Sequence, residues 1–104
     1  MKQEEVIQHI IELGKQILPQ GASLWLYGSR ARGDARPDSD YDLLILVDKE
    51  NVTPEVDSAA YDLCLMGYEN GVELNPHIYP RKKWEQWTYS PFYKNVEKDK
   101  RVLI

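Results

Sequence analysis

The sequence predicts a small α/β protein, and three observations carry that expectation. Ser23 to Tyr27 and Tyr41 to Val47 are short apolar runs with no helical period, which read as strands. Patterns at helical spacing stand before the first run and after the second, so strands and helices alternate. A third segment, Val72 to Tyr79, alternates between apolar and polar residues and then gives way to aromatic-rich C-terminal helices. At 104 residues the chain is read as one domain, residues 1–104, with a sheet of few strands.

The elements follow in order. Val6, Ile7, Ile10, Ile11, Leu13, Ile17 and Leu18 fall on one helical stripe, which Pro19 and Gly21 stop. The strand Ser23 to Tyr27 runs into a turn at Gly28, and a short helix opens at Ser29. Tyr41 to Val47 is almost wholly apolar, as expected of a central strand covered on both faces. Thr53-Pro54 has the form of an N-cap followed by proline at the first helical position; Val56, Ala60, Leu63 and Gly67 keep the helical spacing after it, and the helix should end between Gly67 and Gly71. From Val72 to Tyr79, Val72, Leu74 and Ile78 share one side and Glu73, Asn75, His77 and Tyr79 the other; Pro76 makes this an edge or bulged strand. Pro80 to Trp87 and the segment from Ser90-Pro91 read as helices, and Trp84, Trp87, Tyr89, Phe92 and Tyr93 are expected to cover the open side of the sheet.

Composition excludes several classes of function. With 42% hydrophobic and 29% charged residues the chain has a globular balance, and no apolar run approaches the ~18 residues of a membrane span. The amphipathic N-terminus lacks the apolar block of a signal peptide, so a cytoplasmic protein with no membrane partner is expected. The single cysteine, Cys64, rules out an internal disulfide and any multi-cysteine zinc site. A net charge of −4 argues against broad nucleic-acid binding, although a local basic pocket for one nucleotide remains compatible with it.

The chemistry concentrates in "GSRARGDARPDSDYDLLILV", residues 28 to 47. A glycine directly after a strand lets the backbone approach a ligand closely, and the helix start that follows offers free N–H groups to an anion. Gly28 and Ser29 therefore form a candidate phosphate cradle, with Arg30 or Arg32 within reach of the same charge. Eleven residues after Ser29 comes Asp40, then Asp42. Residues i and i+2 of a strand project from one face ~6.6 Å apart, so two carboxylates there can converge on a cation. Mg²⁺ suits such a pair, because it takes oxygen ligands, retains waters and is shared with substrate phosphates. An isolated Asp-x-Asp is more often a polar turn; its spacing from Gly28-Ser29 turns the balance toward a site.

This stretch resembles the signature of the minimal nucleotidyltransferases of the DNA polymerase beta superfamily: Gly-Ser, a spacer, then Asp-x-Asp. The matching residues are Gly28, Ser29, Arg30, Ala31, Arg32, Gly33, Ser39, Asp40, Asp42, Leu43 and Val47, and the order of elements agrees over about three quarters of the chain. The resemblance implies a nucleotidyltransferase fold, an α+β arrangement with helices packed against a small mixed sheet. It further implies transfer of a nucleoside monophosphate from NTP, with ATP the favoured donor, to a hydroxyl. Gly28 and Ser29 would hold phosphates, and Asp40 and Asp42 two Mg²⁺ ions. The family adds a third carboxylate on the next strand, and Glu73 in Val72-Glu73-Leu74 matches that position, as a general base and metal ligand. This strand departs from the family pattern through Asn75, Pro76 and His77, so a solvent-facing Glu73 on an edge strand stands beside the catalytic reading.

Two functions follow. In one, the chain modifies a separate acceptor, as short members of this family do when they act as antitoxins toward a helical HEPN-type toxin. In the other, it is a degenerate fold that binds nucleotide or partner without turnover. The chain is too short for an added acceptor domain, so the acceptor is expected to be recognised by another chain or at the edge of this one, although a homo-oligomer could build such a site between subunits.

Overall fold

A computed structural model describes residues 2–48 and 50–104. The elements are α1 (Gln3–Ile17), β1 (Ser23–Tyr27), α2 (Ser29–Arg32), β2 (Tyr41–Val47), α3 (Pro54–Glu69), β3 (Leu74–Pro80), α4 (Arg81–Gln86), α5 (Pro91–Asp99) and β4 (Arg101–Val102). They build a mixed sheet in the order β3-β2-β1-β4. β1 runs antiparallel to both β2 and β4, while β3 runs parallel to β2.

Strand alternation sorts the core into two halves. Leu24 and Leu26 of β1 and Leu43, Ile45 and Val47 of β2 face the helix pair α1 and α3, meeting Val6, Ile7, Ile10, Val56 and Leu63. The residues between them, Trp25, Leu44 and Leu46, face Trp84 of α4 and Val96 of α5. A strand buried on both faces must be apolar throughout, which is why β2 lacks the alternation of a half-exposed strand. The second half is aromatic: Trp84 meets Trp25, Phe92 and Tyr93 with ring centroids 6.2, 5.7 and 5.0 Å away, and its indole N–H donates to Glu97. Tyr89 stands apart from the expected aromatic cover, at 77% exposure.

Other expectations shift in detail. Thr53 precedes α3 in extended conformation, but its hydroxyl makes no capping bond; its carbonyl accepts from Val56 and Asp57, and Pro54 starts the helix with φ preset. The third strand begins at Leu74, so Val72 and Glu73 precede it. It forms the edge expected from Pro76, and its register with β2 is unbroken, with Pro76 opposite Leu43. Glu73 turns its carbonyl toward β2, accepting from Tyr41 at 2.9 Å. Counting forward along a parallel strand, Pro76 then turns its nitrogen to the free edge, where no donor is missed. β4 was not anticipated. It is too short to carry a pattern, and it forms because Trp25 and Leu26 offer an open edge to Val102 and Arg101.

Candidate active site

Gly28 has φ +74° and ψ −158°, a region that is essentially glycine-only. A Cβ at this position would sit 2.5 Å from Oδ2 of Asp42. The antiparallel register causes this closeness, because Tyr27 is the partner of Asp42 and the chain turns immediately afterwards. The glycine of the first motif and the second aspartate of the other thus form one packed unit. Asp42 shares a sheet face with Leu44 and Leu46 and is half-buried; Asp40, two residues earlier, is exposed at the strand mouth.

The loop that presents Asp40 is held from within. Ser39 donates its N–H to the carbonyl of Arg36, and its hydroxyl accepts from the Arg36 N–H, at 3.0 and 2.9 Å. The Arg30 guanidinium then donates to the Ser39 carbonyl at 2.8 and 3.2 Å and to the Pro37 carbonyl at 3.2 Å. It also reaches Gln3 Oε1 at 3.3 Å and lies 4.4 Å from the centre of the Tyr41 ring. Arg30 is therefore spent on the loop. Arg32, two residues on, points elsewhere, pairing with Asp99 at 2.8 Å and Asp34 at 3.2 Å. It borders a cavity of about 450 Å³ together with Tyr27, Gly28, Phe92, Asn95 and Lys98.

On the other side of Asp42 lies β3. The register pairs Asp42 with Asn75, whose amide donates to Oδ1 of Asp42 at 3.4 Å. One residue before the first pair, Tyr41 with Leu74, stand Asp40 and Glu73. Glu73 is exposed and lines a separate cavity of about 430 Å³ with Arg30, Asp38, Ser39 and Tyr68. Among the described residues, no three His, Cys, Asp or Glu side chains gather closely enough to hold an ion. The fold thus brings Glu73 beside Asp40 along the backbone without drawing the three carboxylates into one cluster.

The surroundings of Asp42 mark its charge. The Tyr27 hydroxyl is pushed up to about 12, first by burial and then by the negative charge of Asp42. Several site-lining residues escaped the sequence reading. Phe92, Asn95 and Lys98 come from α5, more than sixty residues beyond Gly28, and no motif links them to it. Asn75 was legible as a neighbour of Glu73 on the same side of the strand, but its pairing with Asp42 needed the register.

Comparison with known proteins agrees with this architecture. The sequence pattern of the family described as "Nucleotidyltransferase domain" matches residues 7–104. A toxin-antitoxin crystal structure with AMP-PNP superposes with TM-score 0.65 at 17% identity, over 94% of this chain and 72% of that one. A toxin-antitoxin MntA-HpeT structure carrying two aspartate-to-glutamate mutations gives TM-score 0.65 at 15% identity, with the same coverage of 94% and 72%. A third complex, the tri-AMPylated HEPN toxin of Shewanella oneidensis with its MNT antitoxin, gives TM-score 0.61 at 15% identity, over 99% of this chain and 72% of that one. No curated protein matches the chain. With its Gly-Ser turn packed against the second aspartate of Asp-x-Asp, and with the family pattern matched from residue 7 to residue 104, the chain belongs to the nucleotidyltransferase domain family.

Proposed function

We propose that this protein transfers AMP from ATP to a hydroxyl of a separate protein, a helical toxin of HEPN type, and so acts as an antitoxin in the cytoplasm. The observation that carries the reading is the packing of the Gly28 turn on Asp42, which keeps side-chain bulk away from that carboxylate. The complexes of similar fold, one with AMP-PNP and one with an AMPylated toxin, favour ATP as donor and a protein as acceptor.

The donor chemistry fits Mg²⁺. Asp40 and Asp42 offer only carboxylate oxygens at the mouth of β2, and any side chain at position 28 would run into Oδ2 of Asp42. When bound, Mg²⁺ supplies charge neutralisation at the α-phosphate and lowers the cost of deprotonating the acceptor hydroxyl. Gly28 and Ser29 receive the terminal phosphates, and Arg32 faces the same cavity as a nearby positive charge. The acceptor oxygen forms a bond to the α-phosphorus, the bond to pyrophosphate breaks, and the hydroxyl proton passes to the Glu73 carboxylate. Asn75 holds Asp42 through its amide.

A second reading, nucleotide or partner binding without turnover, is favoured by one observation: the three carboxylates do not form a single cluster. Incubation with labelled ATP, Mg²⁺ and the proteins encoded beside this chain separates the two. Label transfer by wild type that disappears in Asp42→Asn supports the enzyme, and nucleotide binding with no transfer supports the binding module.

A further inference from the structure

Helix α3 is apolar on both sides. Its inner side, Val56, Ala60, Leu63 and Gly67, is buried against α1 and the sheet. On its outer side Tyr61, Leu65 and Tyr68 are 67%, 43% and 81% exposed. Their spacing of four and three residues places them in one continuous stripe. α1, the other long helix on this side of the sheet, instead turns Glu, Gln, His and Lys residues to solvent.

The charges carried by α3 itself have one sign. Glu55, Asp57, Asp62 and Glu69 are the only charged residues of α3, all are exposed, and none belongs to an ion pair among the described residues. At its C-terminal end the stripe meets the candidate active site, because Tyr68 lines the same cavity as Glu73, Asp38 and Ser39.

We propose that this stripe docks an amphipathic helix of the protein acceptor, with an apolar ridge on Tyr61, Leu65 and Tyr68 and flanking Lys or Arg side chains on the carboxylates. Bound there, the partner reaches the cavity lined by Glu73 and Ser39, one residue before Asp40, where its hydroxyl is needed. The all-acidic charge of α3 selects the occupant. A second copy would set two like-charged helices face to face, and nucleic acid or an anionic membrane would meet the same repulsion. Only the acceptor role of this partner rests on the nucleotidyltransferase reading; the docking itself does not.

The test uses two synthetic amphipathic helices of about 18 residues, long enough to hold helical structure, with the same leucine stripe flanked by lysines in one and glutamates in the other. Binding to the full chain is followed by fluorescence anisotropy and by amide chemical shifts. The lysine-flanked helix should shift α3 resonances, lose affinity with added salt, and bind about tenfold or more weakly to Leu65→Asp, while the glutamate-flanked helix should not bind. Tyr61→Ala serves where Leu65→Asp fails to fold. Equal binding of both helices, shifts located away from α3, unaltered binding by the folded variants, or concentration-dependent self-association abolished by Leu65→Asp would each overturn the proposal. Asp42→Asn should bind the lysine-flanked helix like wild type. With the proteins encoded beside this chain as acceptors, helix binding without any AMP transfer would leave docking standing and remove the enzymatic reading, whereas AMP transfer with an unchanged acceptor KM in Leu65→Asp would do the reverse.

Discussion

The two flanks of Asp42 are built differently. On the β1 side the backbone itself encloses the carboxylate: Gly28 occupies a conformation closed to other residues, with no room for a Cβ. On the β3 side contact comes from side chains at an edge strand, through a 3.4 Å amide contact from Asn75 and an exposed Glu73. The first flank is fixed by sterics and the second by groups free to turn. A motif whose spacing is enforced by backbone packing is readable at a distance in sequence, whereas one that depends on an exposed rotamer is not.

Substitutions can break this comparison, and the largest effect is expected at its centre. Asp42→Asn should reduce AMP transfer by roughly 10³-fold, about 4 kcal/mol in the barrier, while thermal unfolding moves little. Gly28→Ala should cost about 3 kcal/mol of stability from backbone strain and the overlap with Asp42, measurable by denaturant titration. Glu73→Gln tests the looser flank. A loss on the order of 10²-fold in turnover with unchanged ATP binding is expected of a general base, and full activity would remove Glu73 from the chemistry.

Smaller effects separate the two arginines. Arg30→Lys cannot reproduce the forked donation to Ser39 and Pro37, and should cost about 1 kcal/mol of stability. Arg32→Ala should instead weaken ATP binding, and should lower stability modestly by leaving the largely buried Asp99 carboxylate without its 2.8 Å partner. The smallest effect concerns Tyr27. Its folded hydroxyl is raised to about 12 against about 10 in an unfolded chain, so the native state holds this proton more tightly. The resulting stability is present below pH 10 and is lost as pH rises toward 12. The difference in tyrosinate absorbance between wild type and Tyr27→Phe measures it, and Asp42→Asn should lower that titration by removing a neighbouring negative charge.

Helical stripes, apolar strands and Pro-marked helix starts were legible because burial imposes a period on the residues that form them. α1, β1, β2 and α3 follow that rule. β4 was not legible, since two residues carry no period and the strand exists only as a cover for the edge of β1. The roles of the motif arginines were also hidden. Both stood as candidates for the triphosphate, and only the folded loop shows Arg30 engaged with Ser39, Pro37 and Gln3 while Arg32 faces the cavity beside Gly28.

The sequence by itself determined the family, the alternation of helix and strand, and the pairing of Gly28 with Asp42, because each depends on residue type at a local spacing. The tertiary structure decided what meets what. It set Asn75 rather than Glu73 opposite Asp42, brought α5 to the Gly28 cavity, and left the outer stripe of α3 uncovered. These are consequences of strand register and helix packing, which join residues thirty or more positions apart and leave no mark on either segment alone.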